Sequence, residues 1–399
     1  CSSDLAFSGE GFLVGRGFVG DCNTRPIIPT GTRPLPVPEA GPGRPCNLAD
    51  PRLSGGGVYA PVAPGLKGQF LDEVVVGGQY DVGYDIVVGA YYSYRHLGNV
   101  IEDLSVNGGD TYFIANPGSQ PDAKTSAQLE TDATLARQQA DAAPQNTALQ
   151  AAATAARNRA DVYKAVALFP KAEREYHAVT FTLNKRLSNR CSILANYTYS
   201  RLFGNYPGTF NPYTAQLDPN ISTQFDIIDL TVNRRGPLSN DRPHNFKATG
   251  FYMQPLFGGK STLTASLTFT ALSGRPIQVL GQHVAYGAHE TFILPSGSGG
   301  RTPTITQLDA HIGWDQQMGA GVKLSVFLDV INLLNQQQVI NIDDEYTFSS
   351  VDPIRYGTPE DLKKLRASDG SNLVYNSNYG QPTGFQAPLY LRFGGRLQF

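Results

Sequence analysis

The chain has 399 residues, enough for two ordinary domains or one large barrel, and its 32 basic and 34 acidic residues leave a formal charge of −2. That balance offers no basic surface for nucleic acid, so none is expected as a partner. Charged residues are 17% and apolar ones 41%, yet no apolar run approaches the roughly 18 to 20 residues of a membrane helix, so any crossing of a bilayer must be made by strands.

Residues 1–71 read as a Pro- and Gly-rich external loop region. Pro26, Pro29, Pro34, Pro36, Pro38, Pro42 and Pro45 cannot donate to a sheet ladder and favour extended loop. Residues 6–16 are the one strand expected there. The first residues have neither the basic start nor the apolar core of a leader peptide, and Cys1 occupies the position a lipidated cysteine would take, although a loop cysteine is the plainer reading. Cys22 and Cys46 flank the prolines and are a candidate disulfide in an oxidising compartment, whereas Cys191 opens an expected strand as a small packed side chain. Gly15, Gly17 and Gly20 have the spacing of a dinucleotide-binding turn. Prolines follow where that turn needs a helix, so the match is accidental.

From residue 72 a unit recurs: strand, short turn, strand, long loop. Strands at 72–82 and 86–97 flank Gly83, Tyr84 and Asp85; those at 176–187 and 191–202 flank Ser188, Asn189 and Arg190. Strands at 244–255 and 261–272 flank Phe257 to Lys260, and those at 304–314 and 322–334 flank a turn at 319–321. Side chains alternate along them: Leu263, Ala265, Leu267 and Phe269 against Thr264, Ser266, Thr268 and Thr270, for example. A soluble carbohydrate-binding β-sandwich would alternate in the same way. It would not make every connection short at one end and dozens of residues long at the other, as here with loops at 98–175, 203–243, 273–303 and 335–387. The fold class is therefore all-β, a transmembrane antiparallel β-barrel of about nine or ten strands, with 72–399 as the C-terminal part of a larger barrel. Counting from 72 gives nine strands whose first and last run the same way, which cannot close as an even, antiparallel barrel unless the N-terminal stretch supplies another.

One loop departs from this pattern. Residues 123–168 are rich in Ala, Gln, Arg and Leu with Pro144 in the middle, which predicts a helical hairpin inserted in an external loop. Thr125 with Gln128 is a candidate capping box, and Leu129, Leu135 and Leu149 form a thin apolar stripe.

Little in the chain points to chemistry. His283 with His289, and the run Asp343, Asp344 and Glu345, are residue types that bind metals, but solvated loops are the simpler reading. Gly259, Lys260 and Ser261 lack the first glycine of a phosphate loop and fit a hairpin turn. With no nucleophile elbow and no His-Glu-x-x-His pair, no catalytic residue, cofactor or metal is expected.

The last strand alternates without a slip. Leu389, Leu391, Phe393, Leu397 and Phe399 share one face, and Tyr390, Arg392, Arg396 and Gln398 the other. A strand ending on an aromatic residue resembles the assembly signal of bacterial outer-membrane barrels, which assigns that role to Phe399, Leu397, Phe393 and Leu391. The alternate face carries the candidate lumen-facing residues Arg392, Arg396, Asp329, Lys323, Asp309 and His311.

Several stretches, taken in order, resemble the C-terminal barrel of TonB-dependent outer-membrane receptors: Asn196 to Arg201, Asp241 to Phe246, Ser273 to Ile277, Asp329 to Asn335, and the terminal Phe399. The segment Leu294 to Pro303 is similar to the Oar-like branch of that family. The resemblance implies a plugged barrel that takes up a scarce, unidentified ligand, with TonB, the inner-membrane energising complex, the barrel assembly machinery and outer-membrane lipid as partners. Neither plug nor TonB box is recognised here, so a passive outer-membrane pore or an adhesin is the rival reading on the same barrel.

Overall fold

Long polar and apolar alternation, interrupted by residues that accept a left-handed backbone, builds hairpins before anything else. The computed structural model describes residues 62–106, 108, 112–208, 210, 211, 216, 217, 223–319 and 321–399. Cys1, Cys22, Cys46, the strand expected at 6–16 and the glycine motif at 15–20 lie outside them. The chain divides into two compact units, one of residues 1–69, 99–172 and 218–231, the other of 70–98, 173–217 and 232–399.

The second unit holds the sheet. Its strands are β1 (Phe70–Gly83), β2 (Ile86–Gly98), β3 (Arg174–Ser188), β4 (Cys191–Gly204), β5 (His244–Leu256), β6 (Ser261–Leu272), β7 (Ile305–Gly319), β8 (Val322–Ile331) and β9 (Tyr390–Gln398). They lie side by side in chain order, every neighbour antiparallel, and a two-residue strand at Gly236–Pro237 adds to β4. Among the described residues the sheet is not closed: β1 and β9 are its edges.

Turn chemistry sets the register. Asn189 and Arg190 both have positive φ (51° and 67°), the two-residue hairpin geometry whose twist matches the flanking strands. Each expected hairpin forms, with shifted ends. β7 continues to Gly319, five residues past the expected end, because its polar tail Asp315 to Gln317 still pairs with β8. β8 stops at Ile331 rather than 334. There Asn332 turns the chain (φ 54°), and its side-chain amide donates to the carbonyls of Gln336 (2.7 Å) and Ala387 (2.8 Å).

The long loops of this unit have structure of their own. A three-stranded sheet joins Leu280–His283, Gly287–Phe292 and Glu345–Ser350. Beside it Val279, Ile293, Leu294, Val351 and Leu365 form a buried apolar cluster.

In the first unit, helices α1 (Ala123–Ala142) and α2 (Thr147–Ala165) form the hairpin, broken at Pro144. The expected capping box is not made. Asp122 caps α1 instead, accepting both the backbone N–H and the hydroxyl of Thr125, while the Gln128 amide donates to Asp132. The buried stripe also differs from the expected one: Leu135 is exposed, and Leu129, Ala133 and Ala140 of α1 and Ala153, Ala160 and Ala165 of α2 are buried. Alanines let two helix backbones approach closely, which a leucine count does not reveal. Across the hairpin Arg157 donates to both oxygens of Glu130 (2.6 and 2.8 Å), and Lys164 pairs with the same carboxylate. No helix among the described residues is long and apolar enough to cross a membrane.

Candidate functional site

Register carries one continuous polar face across the nine strands. Asp329 pairs with His311 on one side and Arg392 on the other, Ser325 with Asp315 and Arg396, and Lys323 with Gln317 and Gln398. Polar cross-strand contacts tie the face together: Arg95 donates to Glu73 (2.7 Å), and the hydroxyls of Thr180 and Thr198 and of Thr249 and Thr268 meet at 2.9 and 3.1 Å. The opposite face is apolar. Phe393 is 78% exposed, Leu391 63% and Leu267 53%, far more open apolar surface than a water-facing sheet carries.

Three of the six candidate lumen-facing residues come together. Asp329, 6% exposed, faces His311 Nδ1 at 2.6 Å through one oxygen and accepts from Arg392 Nε at 2.7 Å through the other. The remaining three act elsewhere on the same face. Asp309 takes the backbone N–H of Asn332 (2.8 Å) and the amide of Gln307, Lys323 pairs with Asp315 (3.0 Å), and Arg396 is exposed. On the apolar face Leu391, Phe393, Leu397 and Phe399 are all exposed. Cys191 is free and half-buried at the start of β4.

Buried, multiply bonded polar groups also lie where strands pass into the long loops, and none of them is among the site residues singled out from the sequence. Asp241, 2% exposed, accepts the Leu202 N–H (2.6 Å) and pairs with Arg301, whose guanidinium also donates to the carbonyls of Asp241 (2.9 Å) and Gly274 (3.1 Å). The Arg275 N–H donates to the Thr302 hydroxyl and the Thr302 N–H to the Arg275 carbonyl (3.0 Å each), and Arg242 donates to the Ser273 carbonyl (2.8 Å). Arg234 and Glu290 form an ion pair at 2.9 Å with side chains only 4% and 3% exposed, the guanidinium lying 4.8 Å from the Phe292 ring. The only signal in the sequence for Asp241, Arg242, Arg275, Arg301 and Thr302 was their place in the quoted motifs, and Arg234 and Glu290 had none. A motif does not say which residue meets which.

The acidic run and the two histidines make no metal centre. Among the described residues no group of three or more His, Cys, Asp or Glu is arranged to hold a metal ion. His289 lies 3.7 Å from Glu345, and burial pushes the Asp344 and Glu345 carboxyls up.

Residues 20–282 match the family model described as an outer membrane beta barrel domain. The chain is 36% identical over 357 residues to the TonB-dependent transporter Oar of Myxococcus xanthus, a match that takes in 85% of this chain and 29% of Oar, so the chain spans less than a third of that relative. Among solved structures it is similar to the outer-membrane transporter YddB from Escherichia coli (10% identity, TM-score 0.38, 85% of this chain and 34% of YddB). It is similar also to the ferric-catecholate import receptor Fiu of the same species (9% identity, TM-score 0.35, 84% and 28%).

Proposed function

The chain belongs to the outer-membrane β-barrel domain family and is a protein of the outer membrane, not an enzyme, and from that premise we propose that it is the C-terminal part of the barrel of a TonB-dependent receptor. In this reading the apolar face meets lipid. The polar face, with Arg392, Arg396, Asp329, Lys323, Asp309 and His311, looks into the lumen toward plug or passage, and Leu391, Phe393, Leu397 and Phe399 are read by the barrel assembly machinery. The external loops bind a scarce ligand, and TonB with the inner-membrane energising complex drives its release inward. The observation that carries the reading is the 36% identity to the transporter Oar, sustained over 357 residues.

The test compares depletion of solutes from spent medium in three strains: the parent, one lacking this gene and one lacking TonB. Loss of the same solute's uptake in both deletion strains is the expected result. Uptake lost only with this gene would mean a passive pore. No change in either strain would leave adhesion as the better account.

A further inference from the structure

The loop between β8 and β9 forms an open cavity of about 470 Å3, walled by Asp352, Ile354, Arg355, Asp361, Lys364 and Arg366. That volume suits a small molecule rather than a macromolecule. Three cations and two carboxylates face it, and both carboxylates are already engaged. Asp361 accepts the backbone N–H and the hydroxyl of Thr358 (2.9 Å each) and stands 3.8 Å from Lys364. Asp352 accepts from the Ser368 hydroxyl (3.2 Å). Arg355 and Arg366 have no carboxylate partner among the described residues; the only bond recorded for either is from Arg366 to its neighbour's carbonyl, that of Leu365.

The scaffold under these arginines is fixed. Ile354 donates its N–H to Ile293 (2.9 Å), and its carbonyl accepts from the Asn233 amide (3.0 Å) and from Gly357 (2.9 Å). Leu365, between Lys364 and Arg366, is buried in the loop cluster with Ile293 and Val351. Tyr356 follows Arg355 with φ 56°, a conformation rare for a bulky residue, and is 92% exposed. That φ is the one required at the third position of the tight turn that the Gly357 N–H closes on the Ile354 carbonyl, and the Asn233 amide oxygen accepts the Tyr356 N–H (3.4 Å), so the turn holds Arg355 in place.

We propose that this cavity binds an oxyanionic solute, one carrying carboxylate or phosphate groups, with Arg355 and Arg366 donating to its oxygens and Lys364 adding charge at the rim. Guanidinium forks match both oxyanions, and a ligand supplies the acceptors that the protein does not. The inference rests on the receptor reading, which puts ligand contact in the long loops.

Calorimetric titration of the protein purified from outer membranes, with citrate, pyrophosphate and neutral sucrose as probes, tests it. At least one anion is expected to bind and sucrose not, with affinity falling about tenfold or more in the double variant Arg355→Gln/Arg366→Gln and rising in Asp352→Asn. Citrate alone would assign carboxylate ligands, and pyrophosphate alone phosphate ligands. Binding of neither, binding unchanged by the double variant, or weaker binding in Asp352→Asn overturns the proposal. The replaced side chains are exposed, and far-UV circular dichroism checks that each variant keeps its strands. Protein present in the outer membrane without anion binding removes the cavity assignment alone, whereas absence from that membrane removes the receptor reading.

Discussion

Asp241 sits almost wholly out of water, and a carboxylate there is tolerable because every side of it is answered, by the Leu202 N–H and the Arg301 guanidinium. Replacing it with Ala leaves a backbone donor and a guanidinium without acceptors. We expect Asp241→Ala to cost about 3 kcal/mol, at the lower end for a broken buried pair since Arg301 keeps partial access to water, and Asp241→Asn to cost less. Urea unfolding of the detergent-solubilised protein measures this, and a loss under about 0.5 kcal/mol for the alanine variant would show that the contact is idle. The residue also marks the limit of what sequence discloses. Alternation alone put Asp329, His311 and Arg392 on one face, since side-chain direction has period two. That they meet at one carboxylate depends on register, which the turns set. The meeting of Asp241 with Arg301, 60 residues away, depends on two long loops folding back and leaves no local periodicity to read.

At the scale of single elements the hairpins were legible because each pairs a strong alternation with residues that accept positive φ. Strand ends were less so. β7 outruns its apolar alternation because polar residues continue the ladder, and the short loop strands lack any period long enough to detect. The assignment of faces has a direct check in Trp314, the chain's one tryptophan, which lies on the apolar face of β7 opposite Leu263 and donates its indole N–H to Ser261 (2.6 Å). In bilayers containing brominated lipid its fluorescence should be strongly quenched, while aqueous iodide has little effect; the reverse would support a soluble sandwich. The helical hairpin makes a separate prediction. Hydrogen bonds from Arg157 and Lys164 hold the Glu130 carboxyl down to about 2, below its unfolded value near 4.3. The folded value is depressed, so the carboxylate's contribution is complete above the unfolded value and is lost as pH falls through about 2. Pepsin should therefore spare the hairpin at pH 4 and cut it rapidly only near pH 2. Glu130→Gln should be cut faster than the parent at pH 4, and equal rates for the two proteins at that pH would disprove the coupling.

For the whole molecule the controlling fact is that, among the described residues, nine antiparallel strands end on two edges running in the same direction. A tenth partner or several more strands are needed before β1 and β9 join through an antiparallel seam, and the share of Oar that the chain matches leaves ample room for them in such a protein. Until then the edges have a physical cost. β1 is 14 residues long with Val74, Val75 and Val76 exposed, and β9 is nine residues long with Leu391 and Phe393 exposed. Long, apolar, unpaired edges are templates for pairing with another chain; neither strand contains a proline that would blunt it, and the one register irregularity of β1, between Asp81 and Gly83, lies at its turn end. Refolded by itself in detergent, the 43.1 kDa chain should therefore self-associate in a concentration-dependent way, seen by light scattering coupled to size exclusion. A monomer at all concentrations, with the compact, heat-sensitive gel band of a closed barrel, would mean that these nine strands close without help and that the larger-barrel reading fails. Species that grow with concentration would tie the open sheet to its function: the edges then exist to be met by further strands of the same receptor.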